Sequence, residues 1–315
     1  MRYEDIAQDG ALKVGAMPAA IGLVAMGKLW FKTAASSQLR GQGVVPILTR
    51  ISMVTTGGPL SVRNKVEVDG AYELGHSCDD SGAVSRIVLN GHAELYAPAA
   101  RTHPPQPSNA GERVHVGRVF AEHVFTRPFG PPAQRKVLAL PTAEGPLVPA
   151  LVLPFRSPLA TLSVLGSRAE QARAATASAS FASSARAEDS LATSESEQWL
   201  EPALMLDPMP VTFGITHTDS NQHVNSLVYP QVFEDAALRR LFDLGHSTKT
   251  LLVDQLDVAF RKPCFAGERM FVWLRAFQQA GKLGLIAYLG PRDCTPDKAH
   301  CTAAMTFRDG VLGST

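Results

Sequence analysis

The chain has little cysteine: four residues in 315, Cys78, Cys264, Cys294 and Cys301, with no CxxC pair among them. That is no disulfide framework for a chain of this size, and reduced thiols are the simplest reading. Cys294, His300 and Cys301 are too loosely grouped for a zinc site, so no metal is implied, and no cofactor either. An excess of one charge is also missing. Thirty Lys and Arg stand against 29 Asp and Glu, a formal net charge of +1, which leaves no field to gather nucleic acid or an anionic membrane. Uninterrupted apolar runs are short: Val14 to Trp30 is broken by Pro18 and Lys28 and follows Glu4, Asp5 and Asp9. Neither a signal peptide nor a membrane span fits that pattern, and a cytoplasmic location is expected.

What remains is a globular composition, 45% hydrophobic and 19% charged, with length for two domains. Ala11 to Phe31 reads as a helix buried on more than one side. Val44 to Thr55, Leu60 to Gly75 and Ala83 to Ala97 read as antiparallel strands, broken by Gly57-Gly58-Pro59 and by Asp79-Asp-Ser-Gly82. From Arg101 prolines recur and discourage regular structure, and Arg168 to Glu197 is dominated by Ala and Ser. The expected organisation is a first domain over 1–100, a connecting region over 101–200 and a second domain over 201–315.

The last segment repeats the order of the first. Val211 to Thr218 reads as a strand and Ser226 to Phe242 as a helix, with Tyr229, Val232, Phe233, Ala236, Ala237, Leu241 and Phe242 on its apolar face and Gly245 as its stop. Strands follow at Thr250 to Arg261, Arg269 to Gln278, Leu283 to Leu289 and His300 to Phe307, with Gly281-Lys282 as a hairpin turn. A helix followed by an antiparallel meander, twice, means one layer architecture used twice.

Between strand and helix lies His217-Thr-Asp-Ser-Asn-Gln-His-Val-Asn225, which concentrates a carboxylate, amides and two imidazoles in one turn. If extended, this stretch would project Asp219, Asn221 and His223 to one side. Asn225 suits an N-cap, and free N–H groups at the helix start would polarise a carbonyl oxygen. The same residue types are also ordinary turn and cap formers.

The string Asp219-Ser-Asn-Gln-His-Val-Asn-Ser-Leu-Val-Tyr229 resembles the plant-type acyl-acyl-carrier-protein (acyl-ACP) thioesterases, in which Asp-x-Asn-Gln-His-Val-Asn-Asn-x-x-Tyr carries the catalytic triplet. The looser Asp…His-Val-Asn-x-x-Tyr form is shared with many single-hotdog acyl-CoA thioesterases. The resemblance implies an α+β tandem (double) hotdog, each half a long helix wrapped by an antiparallel sheet. It places the catalytic roles on Asp219, Asn221 and His223. Ala259-Phe-Arg-Lys-Pro-Cys-Phe-Ala-Gly-Glu268 resembles the family's second-strand corner: Cys264 falls on its cysteine, an accessory candidate beside Asn225, while Pro263 replaces its glutamate.

The implied activity is hydrolysis of acyl thioesters of ACP or coenzyme A, with His223 or Asp219 activating water or Asp219 attacking directly. Leu12, Met17, Ile21 and Met26 are candidates for an acyl channel, and Arg239-Arg240 and Arg261-Lys262 for a carrier-binding patch. Asp5, Gln8 and Asp9 are candidates for a second site. A hydroxyacyl-thioester dehydratase and a non-catalytic acyl-binding protein are the rivals, and monomer and homodimer both stay open.

Overall fold

The computed structural model describes residues 1–157 and 198–310. The Ala/Ser-rich stretch expected at Arg168 to Glu197 lies outside them. The described residues fall into two compact units. The first is Met1–Arg156 with Lys249–Leu256 and Asp309 onward, and the second is built on residues 198–248 and Asp257–Arg308.

In the first unit, α1 (Pro18–Ala20) runs into a π-wound helix, Ile21–Trp30, and α2 (Ala34–Gly41) follows. The expected helix therefore starts later than Ala11, where Pro18 can stand in a first turn. It is also wound differently. Phe31 N–H reaches back to Met26 O (2.8 Å), a five-residue step, and the buried side chains Ile21, Ala25, Met26 and Trp30 recur at matching intervals. The strands are β1 (Val45–Thr55), β2 (Glu67–Cys78), β3 (Val84–Pro98) and β4 (Arg113–Thr126), antiparallel in the order β2-β3-β4-β1, and the helix lies against β2, β3 and β4. Close approach needs glycine in the sheet: a Cβ on Gly117 would lie 2.3 Å from Met17 Cε, and one on Gly70 would lie 2.8 Å from Val24 Cγ1. Trp30 closes the helix edge-on to Tyr72 and Phe125, with centroids at 5.6 and 5.7 Å.

The position of β4 corrects the expected boundary at residue 100. Arg113–Thr126 contains no proline and occupies a place between β3 and β1, in the stretch read as connecting structure. Its polar residues are satisfied inside the sheet. Thr49 Oγ1 donates to Glu122 Oε1 (2.7 Å), and His123 Nδ1 lies 3.3 Å from Leu89 O. Burial pushes the His123 imidazole down to about 4, so it stays neutral. β2 also starts later than expected, after a turn at Ser61–Asn64, and ends at the Asp79 loop, where Asp79 Oδ1 accepts from Ser81 and Ala83 N–H. A small hairpin, β5 (Leu140–Thr142) and β6 (Gly145–Leu147), completes this unit.

The second unit opens with β7 (Gln198–Trp199), β8 (Met205–Leu206) and β9 (Val211–Thr212). The strand expected through Thr218 thus ends at Thr212. α3 (Val228–Asp243) follows, then β10 (Leu251–Phe260), whose residues up to Leu256 group with the first unit. β11 (Arg269–Gln279), β12 (Lys282–Gly290) and β13 (Cys301–Asp309) complete an antiparallel order β11-β12-β13-β10, and β7, β8 and β9 pair with β11. The β11–β12 turn is Ala280-Gly281, one residue earlier than expected, with both residues at positive φ (47° and 81°) as a tight hairpin twist requires.

α3 buries Tyr229, Phe233, Ala236, Ala237 and Leu241, the face read from the sequence, except that Phe242 is 69% exposed. It stops at Gly245 (φ 86°), where His246 N–H caps Leu241 O. Arg240 forms an ion pair with the buried Glu201 carboxylate, whose other oxygen accepts Ala276 N–H of β11 (2.9 Å). Arg239 pairs with buried Asp207 in the same way. These two arginines are therefore structural ties, a correction to their reading as a carrier patch.

Among the described residues no single helix is long and apolar enough to cross a membrane.

Candidate active site

The motif folds as a small hairpin, not as an extended run. Thr218 and Val224 form its antiparallel neck, Gln222 N–H bonds to Asp219 O (3.0 Å), and Asp219 N–H bonds to His223 O (3.0 Å). This is a three-residue loop closed by a left-handed residue, and that residue is Gln222, at φ 67°. Glycine would be cheaper there; a side chain held at positive φ is backbone strain inside the motif.

The loop brings Asp219 and His223 opposite one another at the neck and leaves Asn221 at the tip. Asn221 N–H donates to Asp219 Oδ1 (2.8 Å), an Asx turn that fixes the half-buried carboxylate. Asn221 and His223 are exposed, and among the described residues neither the Asn221 amide nor the His223 ring takes a side-chain hydrogen bond. The backbone is not extended here, so the extended run from which a common side was expected for the three side chains is replaced by a loop.

Asn225 is not the N-cap, because the helix begins at Val228. It acts one turn earlier: its Oδ1 accepts Leu227 N–H (2.9 Å) and its carbonyl accepts Val228 N–H (2.9 Å). Pro230, two residues on, has no N–H to offer. The helix start therefore has few free donors for a substrate oxygen, and the oxyanion role expected of it loses its geometric basis.

The hairpin is latched to the corner that follows β10. Val224 N–H bonds to Cys264 O (2.8 Å), and His223 bridges Phe265. Cys264 N–H donates to the Tyr229 hydroxyl (3.3 Å), so α3, corner and hairpin meet at one buried point. Cys264 itself is fully buried, and desolvation pushes its thiol up to about 11. His300 Nδ1 lies 3.5 Å from Cys264 Sγ but 3.1 Å from Pro263 O, and a carbonyl can only accept. Nδ1 therefore carries the proton and is no base for this thiol.

His217 enters the hairpin from the other side. Its Nδ1 accepts Gly214 N–H (3.0 Å), which leaves the proton on Nε2, and its carbonyl accepts Asn225 N–H (2.8 Å). The sequence placed His217 in the motif without a role; its tautomer is visible only through the turn at Ile215–His217.

The remaining candidates are absorbed by structure. Leu12, Met17, Ile21 and Met26 are core residues of the first unit. Asp5 is bound by Arg2, Asp9 by Ala11 N–H and Gln8 by Lys249 O. Arg261 and Lys262 donate to the Asp297 and Lys298 carbonyls. Among the described residues no three His, Cys, Asp or Glu side chains are gathered to hold a metal ion.

No family model matches the chain, and no curated protein sequence does. Solved structures match in fold. An acyl-ACP thioesterase from Bacteroides thetaiotaomicron VPI-5482 aligns with a TM-score of 0.54 at 10% identity, over 98% of this chain and 94% of that one. A 12:0-ACP thioesterase from Umbellularia californica aligns with a TM-score of 0.51 at 12% identity, over 98% and 91%. The chain has the hotdog-type α+β fold of these structures, with a large sheet whose strand pairs include β1–β4, β2–β3, β3–β4, β11–β12 and β12–β13, all antiparallel.

Proposed function

We propose that this protein is a thioesterase that hydrolyses acyl thioesters of acyl carrier protein or coenzyme A, built as two hotdogs in one chain. The observation that carries the reading is the hairpin. It presents a fixed carboxylate, an exposed amide and an exposed imidazole together, on a fold of the kind used by acyl-ACP thioesterases. Two hotdogs are supported by one strand order used twice, β2-β3-β4-β1 and β11-β12-β13-β10, each preceded by a helix.

Thiolates leave readily, so hydrolysis needs an activated water and charge relief at the carbonyl, and no strong acid. In this proposal His223, or Asp219 across the hairpin neck, takes the proton from water. The water oxygen then attacks the carbonyl carbon, the C–S bond breaks, and the proton passes to the departing thiolate. Asn221 at the tip holds the substrate carbonyl, the duty that the occupied helix start leaves open. Cys264, kept protonated by burial, is packing and latch rather than nucleophile. A cytoplasmic setting suits such a substrate.

The test is stoichiometric: acid and thiol are measured together from one acyl thioester with wild type and Asp219→Asn. Equal release by the wild type and a loss of at least a hundredfold in the variant, with an unchanged melting temperature, is the expected result. Full activity in Asp219→Asn contradicts the assignment.

A further inference from the structure

We infer that Phe265 is a positioning residue for His223, and that it sets the orientation in which the imidazole meets the reacting water; this rests on the function proposed above. His223 is exposed, and no side-chain hydrogen bond within the described residues fixes its rotamer. An exposed imidazole with two free torsions samples several rotamers, and only some of them serve a proton transfer. Among the described residues the aromatic ring that packs on it is Phe265, edge-to-face, with centroids 5.6 Å apart and planes at 76°.

Phe265 is itself held. His223 and Phe265 form an isolated antiparallel bridge, which puts the two residues side by side. Phe265 N–H donates to Glu268 Oε2 (2.9 Å), and Glu268 N–H returns to Phe265 O (3.2 Å), closing a turn in which Gly267 sits at φ 87°. Gly267 N–H bonds in turn to Phe213 O (2.8 Å). The ring thus stands on a rigid base, and 43% of Phe265 remains exposed. The fold gains little from an aromatic in that place, since a polar residue would satisfy an exposed turn equally well. Its contact with His223 gives the side chain a purpose.

The experiment compares wild type, Phe265→Leu and Phe265→Tyr by kinetics and by proton NMR of the histidine-labelled protein. Leucine keeps apolar bulk and removes the ring face; tyrosine keeps the face. The expected result has three parts. The ring-current shift of the His223 protons is lost in Phe265→Leu and kept in Phe265→Tyr. The kcat of Phe265→Leu falls about tenfold while KM stays within about twofold. Phe265→Tyr recovers wild-type kcat, and melting temperatures stay close. Unchanged kcat in Phe265→Leu, or a rise in KM alone, overturns the positioning role while leaving the thioesterase reading intact. A wild type that releases no thiol from any thioester overturns both, and is told apart by that silence.

Discussion

Cys264 carries its proton at neutral pH, because its site is fully buried and burial disfavours the thiolate. Cys264→Ala is therefore expected to retain kcat within about threefold, since a lost methyl-sized contact is a packing loss and not a chemical one. A drop of several hundredfold in steady-state thiol release would restore it to the chemistry. His123 makes a second residue-scale prediction. Its imidazole falls from an ordinary 6.5 to about 4 in the folded protein, so between those values the unfolded chain binds the extra proton. Stability is then full above about pH 6.5 and is lost as pH falls toward 4, by on the order of 3 kcal/mol. Urea unfolding of wild type and His123→Gln at pH 7 and pH 5 checks this: the variant should lose much of the slope. The residues Asp219, Asn221 and His223 were legible as a motif, but their geometry was not. Nothing in Asp-Ser-Asn-Gln-His announces that Gln222, rather than a glycine, takes the left-handed position that turns the run into a hairpin.

At the scale of elements, α3 is tied to the strands of its unit through Glu201, which accepts from Arg240 and from Ala276 N–H on β11. Removing the guanidinium leaves a buried carboxylate without its counterion. Arg240→Ala should destabilise the protein by about 3 kcal/mol, read as a shift in denaturant midpoint, while Arg261→Ala on the exposed corner should cost less than about 1 kcal/mol. Equal small effects would mean that the pair is replaced by solvent. Strands rich in apolar residues with turn residues at their ends, β10 to β13, were readable to within a residue or two. β4 was not, for an identifiable reason. Prolines crowd both its flanks, and Glu122 and His123 interrupt its apolar pattern, yet neighbouring strands satisfy both polar groups once the sheet is formed. The π winding of Ile21–Trp30 was also hidden, since a run apolar on nearly all sides carries no period from which to choose between windings.

For the molecule as a whole, the fold and the chemistry come from different sources of information. Alternation and turn chemistry point to a helix with an antiparallel sheet in each part of the chain, and the two strand orders agree position for position. Near-complete coverage of two thioesterase structures at 10% and 12% identity carries the hotdog-type α+β fold and, at that identity, says nothing of the chemistry. Whether this hairpin turns over acyl thioesters is read from thiol release by wild type and His223→Ala across a series of acyl-ACP and acyl-CoA thioesters, short to long chain. The expected result is release by the wild type from at least one series and a loss of a hundredfold or more in the variant at unchanged stability. Release that survives His223→Ala, or none from any substrate by a folded wild type, would contradict it.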